Sequence, residues 1–240
     1  MLLGKGRMRL LQVDEINVSY GRAMVLHDIS MHLNQGEIVF VVGRNGAGKT
    51  TLLKTLMGLL KPWKGSILYE GETTLGIGPV KLAQKGLRYV AQDKKVFSGL
   101  SVRDNIALAA YSNAVSMPEA ITNVTSIYPK LNDFMENDAG GLSGGQRELL
   151  LIGRALVGHP KLLLIDEPTE GLAAIVIKDI FKILLHMKTE NISAIIIEQN
   201  LSIVNQLADR IYVMREGHII KEIDNNSRQT EDSHELENCL

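Results

Sequence analysis

The run Gly43-Arg44-Asn45-Gly46-Ala47-Gly48-Lys49-Thr50 decides the fold through what flanks it. Before it stands Ile38–Val42 (IVFVV), a continuous β-branched and aromatic run of the kind that forms a strand buried on both faces. After it, Leu52, Leu53, Leu56, Leu59 and Leu60 recur at helical spacing, which predicts a helix over Lys49–Leu60 that Pro62 and Gly65 end. A glycine-rich loop between a buried strand and a helix start offers backbone N–H groups to an anion, and the helix N-terminus adds its positive end. The run Gly43–Thr50 matches the phosphate-binding pattern G-x-x-x-x-G-K-T in full. Lys49 is then placed to reach the β- and γ-phosphates of a nucleotide, and the Thr50 hydroxyl to ligate Mg²⁺.

A second buried strand supplies the complementary half. Leu162–Ile165 ends in Asp166-Glu167, so two acids emerge from the sheet at a strand's carboxyl end. Asp166 suits the metal and Glu167 suits the polarisation of an attacking water. Paired acids before Pro168-Thr169 could also be a solvated helix start, an alternative that weakens once the phosphate loop is present.

Elsewhere the chain punctuates itself as a mixed α/β protein. Leu10–Val18, Ile29–Leu33 and Ser66–Tyr69 read as strands, with a turn at Tyr20-Gly21. From Ser101 to about Lys130, Val102, Ile106, Leu108 and Ala109 recur at helical spacing, and Pro118 and Pro129 break the block into short helices. Past Gly158-His159-Pro160 the strand texture returns at Ser193–Ile197, Ile211–Met214 and Ile219–Ile223, with a helix over about Ala174–Lys188. Alternating strands and helices predict a mostly parallel core sheet with right-handed crossovers, an antiparallel N-terminal β-subdomain and an inserted helical subdomain at about 93–155. The one domain then covers 1–224, and the polar residues 225–240 form a flexible tail.

Composition narrows the function classes. In 240 residues, 26 Lys and Arg stand against 27 Asp and Glu, a formal net charge of −1, which argues against a nonspecific nucleic-acid binder. The one cysteine, Cys239, cannot form an internal disulfide and reads as an inert tail thiol in a reducing compartment. The apolar runs are strand-sized, far short of the roughly 18–20 residues of a spanning helix, and the N-terminus lacks a signal core. The chain reads as cytoplasmic, with any membrane association made through a partner.

Leu142-Ser143-Gly144-Gly145-Gln146 opens a further helical segment, Gln146–Val157, with Leu149, Ile152, Gly153 and Leu156 on one face. Five fixed residues arise by chance in such a chain roughly a few times in ten thousand. A serine-capped helix explains Ser143 but not two glycines and a glutamine. With this stretch the chain resembles the ATP-binding subunits of ABC transporters, over about Leu10–Ile223. The resemblance implies an ATPase using ATP and Mg²⁺ in a head-to-tail dimer, with each ATP between one subunit's Gly43–Thr51 loop and the other's Ser143, Gly144, Gly145 and Gln146. It further implies that Tyr20 stacks on adenine and that Gln92 touches Mg²⁺ and the attacking water. Asp104-Asn105 and its helix would belong to the part that docks on membrane partners.

Finer detail is similar to the smaller ATPase subunit of branched-chain amino-acid importers, the LivF type. The stretches that carry this are Gly43–Thr51, Gln92–Phe97, Glu170-Gly171-Leu172-Ala173 and Glu198-Gln199-Asn200. Most ABC ATPases have histidine where this chain has Gln199, and this subfamily has glutamine there, facing the γ-phosphate. Its partners would be a second ABC ATPase, copy or paralogue, two membrane permeases and, indirectly, a substrate-binding protein, on the cytoplasmic face of the membrane. Urea and short-chain amide importers share much of the pattern. Exporter ATPases of lipid or polysaccharide, a soluble ABC ATPase and a binding module without turnover are the other readings. Ala173 departs from the family's aspartate, Ala174 from its common proline, and the last sixteen or so residues from its usual C-terminus.

Overall fold

The structure is a computed structural model that describes residues 8–93 and 95–224. Cys239, the tail from 225 and the first seven residues lie outside the described residues. Strands β1 (Arg9–Tyr20) and β2 (Ala23–Asn34) pair antiparallel across the Gly21-Arg22 turn, so Tyr20 is the last residue of a strand rather than part of the turn. Strand β3 (Ile38–Val42) follows, and all of its side chains are fully buried.

The alternation inside β3 shows why it must be apolar throughout. Val39 and Val41 enter one core, with Leu11, Ile16 and Leu26 of the hairpin, while Ile38, Phe40 and Val42 enter another on the opposite face. Each such side chain contributes about 1.5–3 kcal/mol by leaving water. The strand is thereby fixed, and with it the point where the phosphate-binding loop emerges.

Helix α1 (Lys49–Leu56) ends a turn earlier than its leucine periodicity predicts. Gly58 takes φ +72°, its N–H donates to Thr55 O at 3.0 Å, and Leu59 N–H donates to Lys54 O at 2.9 Å. That double bond pattern is the Schellman stop, which needs a left-handed residue after the last turn. Leu59 is consequently half exposed, whereas Leu52, Leu53 and Leu56 are buried. Beyond it, β4 (Lys64–Tyr69) and β5 (Glu72–Thr73) complete an antiparallel sheet ordered β2-β1-β4-β5.

After the short α2 (Pro79–Gln84) and β6 (Leu87–Val90), the chain builds α3 (Val102–Ser112), α4 (Met117–Ile127) and α5 (Gly144–Leu156). A third core joins Val102, Ile106 and Ala110 of α3 to Ala120 and Val124 of α4 and Leu150 of α5. Leu108, expected on that face, is exposed. The predicted single face of α5 is divided: Leu149, Ile152 and Leu156 pack on the sheet, while Gly153 faces Val124 of α4. A helix wedged between two cores needs apolar residues on both sides, which a one-stripe expectation misses.

The remaining elements are β7 (Leu162–Asp166), α6 (Ala174–Thr189), β8 (Ser193–Ile197), α7 (Leu201–Leu207), β9 (Arg210–Arg215) and β10 (His218–Asp224). The core sheet runs β10-β9-β3-β8-β7-β6, parallel except for the β10–β9 pair. The loop after β3 and the acids after β7 therefore leave the same edge of one sheet, where open α/β sheets bind ligands.

Candidate functional site

The loop from Gly43 to Gly48 hugs the sheet closely enough to require glycine. At Gly43, φ is +152° and an added Cβ would stand 2.2 Å from Met214 O. At Gly48, which precedes α1 with φ +98°, it would stand 2.9 Å from Leu26 Cδ2. No side chain caps α1 and no acid occupies its first turn, so its positive end is left for an anion. The Lys49 ammonium, 4% exposed, folds under the loop and donates to Gly43 O at 2.7 Å and Arg44 O at 3.1 Å. Ala47 O accepts from Gly217 N at 3.0 Å, which ties the loop to the β9–β10 turn.

A cleft of about 410 Å³ opens above this loop, lined by Asn45, Gly46, Ala47, Gly48, Lys49, Thr50, Thr51, Gln92 and Glu167, with Val25 and Glu170. Arg44 and Gly43 line the neighbouring hollow together with Asn45 and Gln199. Thr50 Oγ1 donates to Asp166 Oδ1 at 3.2 Å, and the Tyr89 hydroxyl donates to Oδ2 at 3.2 Å. Burial pushes the Asp166 carboxyl up from its ordinary value, against the opposing pull of those two hydroxyls and Lys49. Burial, with the Asp166 charge beside it, likewise drives the Tyr89 phenol well above its ordinary range, so it remains a donor.

Glu167 is the meeting point. Its backbone has φ +51° and its N–H donates to Ile197 O at 3.0 Å, a left-handed conformation that costs on the order of 1–3 kcal/mol outside glycine. Oε2 accepts from Gln92 Nε2 at 3.1 Å, Oε1 accepts from Gln199 Nε2 at 2.9 Å, and the Lys49 ammonium lies 3.6 Å from Oε1. Gln92 also donates to Glu170 at 2.9 Å and Gln199 to Asn45 at 2.9 Å. Lys49, Gln92, Gln199 and Glu167, distant in sequence, thus share one contact network.

Ser143–Gln146 and Tyr20 are placed elsewhere. Ser143 caps α5: its Oγ accepts from Gln146 N at 3.2 Å, and Gln146 Oε1 accepts from Ser143 N at 2.9 Å. Gly145 faces α6, where a Cβ would meet Val176 Cγ2 at 2.7 Å. Cap and packing therefore account for Ser143, Gln146 and Gly145, more than the sequence suggests; Ser143 and Gly144 are exposed, and an added Cβ at Gly144 would meet nothing within 4 Å. None of these residues lines the cleft, nor does Tyr20, which is 48% exposed at the end of β1. Asn105 is fully buried and bonded to the Phe97 and Ser101 backbone, and so braces the start of α3.

The family model described as ABC transporter matches residues 26–170, which takes in the loop, Gln92, the α5 start and both acids. The chain belongs to the ABC transporter family. This cassette is 40% identical over 212 residues to the high-affinity branched-chain amino acid transport ATP-binding protein BraG of Pseudomonas aeruginosa, covering 88% of this chain and 91% of that one. It is 30% identical over 216 residues to the lipopolysaccharide export system ATP-binding protein LptB of Haemophilus influenzae, covering 89% and 90%. A solved ATP-binding cassette of an ABC transporter in its ADP conformation superposes with a TM-score of 0.78 at 28% identity, covering 95% of this chain and 98% of that one. The cassette is accordingly a nucleotide-binding ATPase subunit. Among the described residues no helix is long and apolar enough to cross a membrane.

Three residues of this cassette's site went unassigned in sequence. Tyr89 on β6 braces Asp166, Glu170 receives Gln92, and Glu198 joins the loops after β7 and β8. Tyr89 and Glu198 have no spacing signal, because their roles depend on which strands become neighbours.

Proposed function

We propose that this chain is the ATP-hydrolysing subunit of an importer of branched-chain amino acids, acting with two membrane permeases on the cytoplasmic face of the membrane. The observation that carries this is the 40% identity to BraG over nearly the whole of both chains. A second ABC ATPase, as copy or paralogue, completes the dimer, and a substrate-binding protein delivers the solute. Residues 1–224 are taken as the ATPase domain, with 93–155 as its helical insert.

In this reading the Gly43–Thr51 loop and Lys49 hold the phosphates, and Tyr20 stacks on the adenine. Thr50, Asp166 and Gln92 offer oxygen donors of the hard type that suits Mg²⁺, and Thr50 Oγ1 already stands 3.2 Å from Asp166 Oδ1. Among the described residues no three His, Cys, Asp or Glu side chains cluster as a metal cage, which agrees with an ion completed by nucleotide phosphates. When bound, that ion supplies charge neutralisation for the phosphates. Glu167 polarises the attacking water, and Gln199 turns its amide to the γ-phosphate. Ser143, Gly144, Gly145 and Gln146 act on the partner's nucleotide.

The test is co-purification with the permeases, followed by ATPase measurement in vesicles with the substrate-binding protein loaded with leucine, isoleucine or valine. Stimulation by these solutes supports the importer, and indifference to them overturns it. The similarity to LptB favours a second reading, an export ATPase. Stimulation by a lipopolysaccharide-type lipid instead of amino acids would select it.

A further inference from the structure

Glu198 follows β8 directly and is 2% exposed, yet its carboxylate meets no cation at ion-pair distance among the described residues. Burying a carboxylate without compensation costs several kcal/mol, so its hydrogen bonds show what holds it. Oε1 accepts from Thr169 N at 3.1 Å and from the Thr169 hydroxyl. Oε2 accepts from Gln199 N at 2.8 Å and Asn200 N at 2.9 Å. One oxygen therefore grips the loop after β7 and the other grips the loop after β8.

Those two loops carry the ends of one contact. Thr169 lies just beyond Glu167, whose left-handed backbone is held in place from both sides. Gln199, fixed through its own N–H by Glu198, extends its side chain to Glu167 Oε1 at 2.9 Å. We propose that Glu198 is a positioning residue for hydrolysis, clamping both loops so that the Gln199 amide and the Glu167 carboxylate stay in register. This rests on the reading that Glu167 and Gln199 serve ATP hydrolysis. A carboxylate suits the task because it accepts from every donor on both sides; a carboxamide of the same size would turn an N–H₂ group toward one set of N–H donors. Bonds to an ionised acceptor are also stronger than neutral ones.

The experiment is a double-mutant cycle in the full-length chain assembled with its permeases. Glu198→Gln is expected to lower kcat by roughly 10- to 100-fold, the range for losing a charge-assisted hydrogen bond. The KM for ATP and the binding of a non-hydrolysable ATP analogue should change less than about twofold, since the Glu198 carboxylate itself bonds to no residue of the phosphate loop. Because Glu198 acts through Gln199, Glu198→Gln combined with Gln199→Ala should be no slower than Gln199→Ala alone. Full additivity, an unchanged kcat, or nucleotide binding weakened in step with kcat would overturn the proposal. If Glu198→Gln does not fold, Thr169→Val removes one donor and should show the same non-additivity with a smaller effect. Failure of both variants to fold would assign Glu198 a purely structural role and end the proposal. Glu167→Gln is measured alongside: if it hydrolyses ATP at the parental rate, the assignment of Glu167 fails first. If it is inactive, the cycle judges Glu198 alone.

Discussion

The side-chain amide of Gln199 donates to Glu167 Oε1 at 2.9 Å, and Gln92 occupies the other oxygen of the same carboxylate at 3.1 Å. One donor on each oxygen holds the carboxylate in one orientation while leaving lone pairs for a water's proton. The two glutamines belong to different loops, after β6 and after β8, so release of either couples Glu167 to a separate part of the fold. Glu167→Gln should leave ATP binding near parental while slowing hydrolysis roughly 10²–10⁴-fold, the range for loss of a general base. Single-turnover hydrolysis and filter binding of ATP, measured on the assembled complex, separate the two effects. An unchanged hydrolysis rate overturns the role given to Glu167.

Asp166 gives a pH-dependent expectation. Burial raises its carboxyl above the unfolded value, with Thr50 and Tyr89 only partly offsetting the cost. Between the two values the folded chain binds more protons than the unfolded one, so stability falls as pH rises through that window. The cost is fully present above the folded value and absent below the unfolded one. Asp166→Asn removes it, so the nucleotide-free variant should melt higher than the parent at neutral pH, with the difference vanishing in acid. Hydrolysis should meanwhile fall about 10²-fold or more, because the proposed function makes Asp166 a ligand of the metal. Melting curves across the pH range check the first half; a variant that melts lower at neutral pH contradicts it.

How much of this was legible in the chain depends on whether a feature is local. Ile38–Val42 and Ser193–Ile197 declare themselves as strands because burial on both faces demands unbroken apolar runs, and both are found with those bounds. The residues around the phosphate loop were readable because loop, lysine and hydroxyl follow one another. Leu87–Val90 does not declare itself as a strand, being short and interrupted by Arg88 and Tyr89. The early end of α1 was written in Gly58, but the leucines beyond it masked the stop. In the sequence, Glu198 stands out only as part of a family pattern. An acid before Gln199-Asn200 looks like solvated loop until β7 and β8 are known to be neighbours.

The contact between Gly145 and Val176 makes the two glycines of α5 separable. Gly145→Ala would drive a methyl to within 2.7 Å of Val176 Cγ2, an overpacking that costs about 1–3 kcal/mol. Gly144→Ala meets nothing within 4 Å and should stay within about 0.5 kcal/mol of the parent. Urea unfolding of both variants, with Gly145→Ala/Val176→Ala as the relief pair, decides it. Equal destabilisation by both alanines would mean that packing on α6 is not what Gly145 provides.

The last expectation concerns which nucleotide Ser143 serves. Lys49 lies in the cleft of its own chain, whereas Ser143 caps α5 and lines no part of that cleft. Were both to act on one ATP within a single chain, either substitution would damage the same site. Acting across a dimer, Ser143 would instead reach the partner's γ-phosphate, and losing one such donor costs about 2.7–4 kcal/mol, or 10²–10³-fold in rate. Lys49→Ala should therefore abolish ATP binding at the chain's own loop, while Ser143→Arg should bind ATP normally and block hydrolysis opposite. Combining one chain of each kind in a homodimer places both defects on a single interfacial site and leaves the other intact, so partial activity should return. With an obligate paralogue, the Ser143→Arg defect should appear at the paralogue's ATP. Loss of ATP binding by the isolated Ser143→Arg chain, in a variant that melts as a folded protein, would show that Ser143 serves its own site.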